Sequence, residues 1–494
     1  KLSKKLLINK LIFTALRIKQ WIPFASLKYI SKKNRFILIS MVVGLLVGLS
    51  AVSLKFIVQH IHHYLRESEK SFPLHFLLPV FGLLITTVFF KYILHSKAGK
   101  SITDIIFCVE QKSSKVDFKK MFSHMIGGIF TVGLGGSVGL EAPIVVTGSA
   151  FGSNIAKLFN FNYKERTLLL ACGASSGIAA IFNSPIAGLL FSIETLLPEF
   201  SIPSIIPLLV ATASAAIVAK FLYSDQLFVF ISSGWSMSSI PFYIILGLVL
   251  GVFSAYFTKI VLKIKLFFEV KRSPLKKALI GGLFLGTLIF LLPPLYGEGY
   301  ETIKILLSGD YSGLFKEYAF FSEWFKLHST LGLVMLVSIL LIIIKPIASA
   351  VTIAAGGVGG VFAPSLFVGA LSGFVFSLIV NQIGIVHVPT VNFVVVGMAA
   401  SLSGILHVPL TSIFLIAEIT GGYSLFVPLM IVSALSFFVS KLIEPDTIYT
   451  HRLSQKGLYI GHDTDKFVLH HLNLASLIKT DFSVLSPTMT LREI

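Results

Sequence analysis

Charged side chains are scarce in this sequence, since Asp, Glu, Lys and Arg together make up 13% of its 494 residues. A soluble globular protein carries about 25% of these residues. Hydrophobic residues reach 55%. Apolar runs of about 20 residues, the length that crosses a bilayer, recur along most of the chain, for example at 36–58 and 331–350. This composition excludes a soluble domain, a single anchor and a cleaved signal peptide, and it predicts an all-α polytopic membrane protein.

Cysteine is also rare, and the usual catalytic motifs are missing. Cys108 and Cys172 lie in apolar surroundings and form neither a disulfide framework nor a metal-ligand spacing. The sequence has no HExxH pattern, P-loop, GxSxG elbow or dinucleotide-binding fingerprint. An enzyme is therefore without support, and we predict a non-enzymatic protein that uses no metal and no cofactor.

Acidic residues are absent from the first 35 positions, which are rich in lysine and arginine. This asymmetry is typical of the cytoplasmic side of a membrane protein. Residues 1–35 are therefore predicted to form a cytoplasmic segment with an amphipathic helix on the inner surface. The formal net charge of +18 is assigned to this topology and to lipid headgroups, rather than to binding of nucleic acid.

Two pairs of similar segments indicate an internal repeat. GGSVGLEAP at 135–143 resembles GGVGGVFAP at 356–364, about 221 residues later. GASSGIAAIFNSPIAGLLFSIET at 173–195 resembles GMAASLSGILHVPLTSIFLIAEIT at 397–420, at an offset of about 224. Two pairs in one order, at nearly one spacing, indicate a duplicated half. Repeats of this size are typical of transporters that hold their substrate at the repeat interface, between broken helices.

Both copies of the first motif favour an anion site. Their clustered glycines expose backbone N–H groups, and Pro143 and Pro364 stand where proline is accepted, in the first turn of a helix. The start of a helix also carries about half a positive charge. Two half-helices, one from each repeat, are expected to aim their N-termini at a common point and to bind an anion there without a full cation.

Glu141 is the one carboxylate in these two motifs, because Phe362 stands at the matching position of the second copy. A carboxylate in a positive site competes with a free anion, and protonation of the carboxylate releases the site. Acids inside a membrane are functional by default. We therefore predict that Glu141 gates the anion path, with a satisfied structural acid as the alternative.

The chain resembles the CLC family of chloride channels and chloride/proton antiporters over nearly its whole length. GLEAP at 139–143 is similar to the family motif that carries the gating glutamate, a role that would fall on Glu141. The segments 177–194 and 409–430 resemble the flanking family segments. The resemblance implies two inverted-topology repeats of tilted and broken helices, one pore in each subunit, and a homodimer.

The second half carries two more family signatures. GGVFAP at 359–364 is similar to the G-x-F-x-P motif, whose backbone amides would bind the central anion. IYTHRL at 448–453 resembles the last helix of the family, whose tyrosine hydroxyl reaches that anion. The residues expected at the anion site are Val361, Phe362, Tyr449, Ser101, Lys100, Gly139, Leu140 and Gly360.

The first family anion loop is altered in this chain. The family pattern G-S-G-I-P corresponds to GKSIT at 99–103, so that Lys100 stands at the serine position. We expect the Lys100 side chain to turn aside and the backbone to bind the anion, with a shifted role for Ser101 as the alternative. Leu140 replaces the basic residue that precedes the gating glutamate in relatives, which lowers the local positive charge.

The internal proton pathway of the family antiporters is altered as well. Their proton-transfer glutamate corresponds to Thr195, and Glu194 matches the acid just before it. We keep both as proton-pathway positions, although Thr195 weakens the case for proton coupling. The resemblance therefore leaves open whether the protein is a channel or an antiporter.

The proposed domains follow from these patterns. Residues 36–450 are predicted to form the transmembrane domain, with repeats at about 36–222 and 240–450. Residues 451–494 read as a cytoplasmic linker and the start of a CBS-like domain, which when complete could bind a nucleotide. Both termini are thus placed in the cytoplasm. The predicted function is transport of chloride and similar small anions, gated by protonation of Glu141. A cation-coupled transporter of another small solute is the alternative.

Overall fold

The structure is a computed structural model. It describes residues 31–68, 74–96, 102–197, 202–223, 234–269, 273–309, 311, 331–421 and 423–458. Most of the basic N-terminal segment, the loop residues Lys100 and Ser101, and the CBS-like segment lie outside the described residues. The predictions made for these three parts of the chain stay predictions.

Within these ranges the chain forms 17 α-helices and no strand, which confirms the all-α prediction. The eight helices of the first half are α1 Lys32–Ser68, α2 Leu78–Val88, α3 Ile102–Gln111, α4 Lys120–Gly133, α5 Glu141–Leu158, α6 Tyr163–Phe182, α7 Pro185–Thr195 and α8 Ile205–Leu222. The nine helices of the second half are α9 Ile240–Phe268, α10 Pro274–Leu291, α11 Tyr300–Ser308, α12 Leu331–Ala354, α13 Phe362–Ile383, α14 Thr390–Leu406, α15 Pro409–Thr420, α16 Phe426–Ile443 and α17 His451–Gln455.

Length separates the helices that can cross a bilayer from those that cannot. Eight helical segments of the described chain are long and apolar enough to span a membrane. Others, such as α7 with 11 residues and α15 with 12, are too short, because a helix rises about 1.5 Å per residue and the hydrocarbon core is about 30 Å thick. The chain is therefore polytopic and contains the broken helices that the sequence predicts.

Burial places two helices at the centre of the molecule. In the apolar stretches of α6 and α13, 78% and 83% of the residues are buried, against 33% in α10 and in α16. Small residues make this central packing close. The glycine-rich faces of α5 and α13 allow α6 and α14, respectively, to approach backbone to backbone. The N-termini of α5 and α13, which carry the two predicted anion motifs, therefore lie in the interior.

The two halves repeat the same packing, as the paired sequence segments predict. α5 packs on α6 as α13 packs on α14, and α1 packs on α8 as α9 packs on α16. Gly148 faces the carbonyl of Gly173 in the first half, and Gly369 faces the carbonyl of Gly397 at the matching place in the second. The sequence repeat is thus a repeat of three-dimensional structure, and it brings one glycine-rich loop from each half into the core.

Candidate functional site

The two glycine-rich loops adopt the same turn. Gly135 and Gly356 both have left-handed backbone, with φ of 90° and 108°, a conformation that side chains with a Cβ disfavour. The glycine after each donates its N–H to the carbonyl five residues earlier, at 2.8 Å in the first loop and 3.0 Å in the second. Each turn ends at a helix, α5 or α13, whose first residues keep free amides as every helix start does.

The loops meet through one pair of reciprocal backbone hydrogen bonds. The Gly139 amide donates to the Gly360 carbonyl, and the Gly360 amide donates to the Gly139 carbonyl, both at 2.9 Å. This differs from the predicted use of these two glycines at the anion, because both amides already have acceptors. The bridge instead fixes the starts of α5 and α13 side by side across the repeat interface.

Glu141 is the first residue of α5 and is 1% exposed. The hydroxyl of Tyr300 donates to its Oε1 at 2.6 Å. The amide of Ala363, in the first turn of α13, faces the carboxylate. However, Oε2 makes no hydrogen bond of normal geometry with any residue that the structure describes. The carboxylate of one repeat therefore sits at the helix start of the other, with one oxygen left without a partner.

We call the space that the Glu141 carboxylate occupies, between the starts of α5 and α13, the seat. It is surrounded by Val361, Phe362 and Tyr449. Val361 caps α13 and Phe362 begins it, the position that Glu141 holds in α5. The Tyr449 side chain is buried. Its hydroxyl interacts electrostatically with Glu141 and lies beside the Val361 amide, yet it has no well-formed hydrogen bond within the described ranges. Phe182, at the end of α6, packs on Phe362 with ring centroids 5.2 Å apart.

Three polar residues at this site were missed by the sequence reasoning. They are Glu298, in the turn before α11, Tyr300, the first residue of α11, and Lys345, which lies inside α12. Glu298 Oε1 accepts a hydrogen bond from the Leu140 amide at 3.3 Å, so that this predicted anion-site amide already has a carboxylate partner. The signals were present in the sequence, as an acid between two glycines in YGEGY at 296–300 and as a lysine in an apolar run.

The predicted proton-pathway position Glu194 holds the start of α15. Its carboxylate accepts hydrogen bonds from the amides of Leu410 and Thr411, at 2.9 and 2.8 Å, and from the Thr411 hydroxyl at 2.6 Å. Such contacts satisfy the orphan donors of a helix start. The Thr195 hydroxyl is buried without a hydrogen-bond partner in the part of the chain that the structure describes.

The second repeat contains the equivalent contact, made by the acid at the matching position. Glu418, the repeat mate of Glu194, accepts hydrogen bonds from the Ile186 and Ala187 amides at the start of α7, at 3.2 and 3.0 Å. The helices α7 and α15 therefore cap each other through an acid near the end of each. The symmetry identifies a structural contact for Glu194, whereas its part in proton transfer stays a prediction.

The arrangement suits an anion better than a metal. Helix starts, unpaired amides and a tyrosine hydroxyl are donors, which is what an anion needs and a cation does not. Among the residues that the structure describes, no group of three or more His, Cys, Asp or Glu side chains could hold a metal ion. Chemically, the site can exchange one negative charge, the Glu141 carboxylate, for another.

Comparison with known proteins identifies the family to which the chain is similar. A sequence model described as "Voltage gated chloride channel" matches residues 82–441. The H(+)/Cl(-) exchange transporter ClcA of Vibrio cholerae serotype O1 is 29% identical over 343 residues, which cover 66% of this chain and 68% of that protein.

Two solved structures share the fold. A slow cyanobacterial Cl⁻/H⁺ antiporter has a TM-score of 0.73 at 22% identity, covering 86% of this chain and 98% of its own. A CLC-type fluoride/proton antiporter has a TM-score of 0.69 at 22% identity, covering 84% and 97%. The matched region contains both glycine-rich loops and the helices that they start. The chain therefore belongs to the voltage gated chloride channel family, the CLC proteins, which are membrane transporters and channels.

Proposed function

We propose that the protein carries chloride across the membrane in exchange for protons and that protonation of Glu141 opens its anion path. The main support for this proposal is one observation. The Glu141 carboxylate is buried between the starts of α5 and α13, facing an amide of the opposite repeat, with one oxygen unpartnered. A carboxylate in that position is a tethered anion in a seat that a free anion could take.

The exchange needs only charge and geometry. The ionised carboxylate is held by the partial positive charge of the helix starts and by the Tyr300 hydroxyl. A proton that binds it removes the charge, so that the attraction weakens and the side chain can leave. The amides of Val361 and Phe362 and the hydroxyl of Tyr449 are then available to a chloride ion.

We prefer exchange to a passive channel because similar proteins are described as chloride/proton exchangers. The Vibrio cholerae protein is named as an H(+)/Cl(-) exchange transporter, and a structure with the same fold is described as a Cl⁻/H⁺ antiporter. A channel is the second candidate. It is favoured by Thr195, at the position where the family resemblance expects an internal acid, and by Glu194, whose carboxylate already holds the start of α15.

Uphill proton movement distinguishes the two. We expect purified protein in liposomes loaded with chloride and placed in a low-chloride buffer to move protons against a pH gradient, in the direction opposite to chloride. The measurement is external pH together with chloride efflux, with protein-free liposomes and a protonophore as controls. Chloride efflux without any proton movement would contradict exchange and leave the channel. Repeating the assay with fluoride establishes which anion is preferred.

The assembly proposed for the protein follows from the family. We infer a homodimer in which each subunit has its own pore, with both termini in the cytoplasm. The CBS-like segment, and any nucleotide that a complete CBS region would bind, lie outside the described residues. These features stay predictions.

A further inference from the structure

The turn before α11 approaches the gate with a second carboxylate. Glu298 lies between Gly297 and Gly299, both in left-handed backbone with φ of 58° and 88°. This conformation aims Glu298 Oε1 at the amide of Leu140, 3.3 Å away. Leu140 immediately precedes Glu141 and caps α5. The Glu298 carboxylate therefore holds the backbone at the helix start that carries the gating residue.

The first residue of α11 contacts the gate a second time. Tyr300, two residues after Glu298, donates its hydroxyl to Glu141 Oε1 at 2.6 Å. One short segment thus binds both the backbone before the gating residue and its carboxylate. The two carboxylates also interact with each other electrostatically. A change in the charge of Glu298 therefore changes the electrostatic potential at Glu141.

A buried lysine lies beside the same turn. Lys345 is 0% exposed, and its Nζ donates to the carbonyls of Leu295 and Gly297 at 3.3 and 3.1 Å. Its ammonium also lies 4.8 Å from the centre of the Phe367 ring. Lys345 interacts electrostatically with Glu298, and its two carbonyl acceptors belong to the turn that carries Glu298.

Other titratable groups face this cluster from neighbouring elements. Lys55 of α1 interacts electrostatically with Glu298, and its ammonium lies 4.4 Å from the centre of the Tyr223 ring. His62 of α1 packs on Tyr296, with ring centroids 5.3 Å apart, and its Nε2 is bonded to a backbone carbonyl of α4 at 2.9 Å. Tyr449 faces the gate from the Glu141 side. Among these groups, Lys345 donates both of its hydrogen bonds to the turn that carries Glu298.

Charge balance makes the two carboxylates dependent on each other. Two ionised carboxylates in a region of low dielectric repel each other, and of the two lysines that interact with Glu298 only Lys345 is fully buried. One bound proton removes this repulsion. An arriving chloride adds another negative charge, which favours binding of a second proton. Carboxylates coupled in this way titrate as a pair and not as independent groups.

We propose that Glu298 is a second proton-binding residue of the gate, which shares one proton with Glu141 and binds a further one when the anion enters. The proposal rests on the proposed function of Glu141 and deepens it. A hydronium ion from the solution delivers the proton and is left as water; the new O–H bond on the carboxylate removes its charge, which weakens its hold on the Leu140 amide. The pathway thereby has a second acid without needing one at Thr195.

Glu298→Gln tests this proposal in liposomes. Glutamine keeps an oxygen for the Leu140 amide but cannot take up a proton. Wild-type chloride flux against pH is expected to extend over a wider pH range than a single group spans, because two coupled carboxylates bind their protons in two separate steps. The variant is expected to show a single proton-binding step, with the slope of about 1 that one titrating group gives, whatever its maximal flux. Glu301→Gln is the matched control, since Glu301 lies three residues along the chain and its side chain is 55% exposed; its profile should match wild type.

Each other outcome decides the proposal as well. A Glu298→Gln profile that superimposes on wild type overturns it, as does a wild-type profile that a single proton-binding step describes. If Glu298→Gln is not monodisperse, Glu298→Asp replaces it, and the two-step profile should survive because the carboxyl group is kept. A single-step profile in a well-folded Glu298→Asp variant overturns the proposal. An unchanged pH profile in Glu141→Gln would instead contradict the proposed function itself, so that the two failures are distinguishable.

Discussion

Chloride flux through a Glu141→Gln variant is expected to lose most of its dependence on pH and its coupling to protons. Glutamine has nearly the shape of glutamate but stays neutral, so that the seat between α5 and α13 no longer holds a tethered charge. Above the pKa of a gating acid, the protonated fraction falls about tenfold for each pH unit. Wild-type flux should therefore fall as pH rises, whereas flux through the variant should change much less, with only the contribution of Glu298 remaining.

The measurement is chloride efflux from liposomes between acidic and mildly alkaline pH, with proton movement recorded in the same samples. Glu301→Gln is again the matched control, because its exposed carboxylate directly follows Tyr300 in the chain and forms an ion pair with Lys304. A Glu141→Gln profile that follows wild type would contradict the assignment of Glu141 as the gate. It would leave this residue as a structural acid whose partner is Tyr300.

Replacing Gly148 with valine is expected to prevent the central helices from packing. A Cβ at this position would overlap the backbone carbonyl of Gly173 on α6, and backbone cannot move aside as a flexible side chain can. Overpacking in cores costs about 1–3 kcal/mol and sometimes more. A clash with backbone in the centre of a helix pair should lie at or above the upper end of that range.

The matched control is Gly332→Val. Gly332 is also a helical glycine in a membrane span, but no atom lies within 4 Å of the position that its Cβ would take. The yield of monodisperse protein and the midpoint of thermal unfolding in detergent should both drop for Gly148→Val and stay near wild type for the control. Gly369→Val, the equivalent change in the second repeat, should behave as Gly148→Val does. Normal folding of both would contradict the close helix contact.

The features that the sequence could predict are those encoded locally. Apolar runs predict spans, and the paired motifs predict a repeated structure in which each loop starts a helix. The structure confirms these points, since α5 begins at Glu141 and α13 at Phe362, the two matching positions. Glycine and proline in these motifs have direct backbone consequences, which is why the local geometry could be anticipated.

The contacts between distant segments could not be predicted in the same way. The Leu140 amide and Glu298 are 158 positions apart, and no spacing rule connects them. The reciprocal bonds of Gly139 and Gly360 likewise depend on how the repeats dock, which turns two expected anion donors into a bridge. Lys345 lies in an apolar run where only its isolation among hydrophobic residues marked it out. Tertiary packing decides which of these polar groups meet.

The central claim is that Glu141 occupies a seat built for a free anion. The most direct measurement is the anomalous diffraction of bromide in crystals of wild type and of Glu141→Ala grown in bromide. In the variant, a bromide peak is expected between the starts of α5 and α13, next to the Ala363 amide that faces the carboxylate in the wild-type structure. Wild type at a pH where Glu141 is ionised should show no peak at that position. An empty seat in Glu141→Ala would contradict the account.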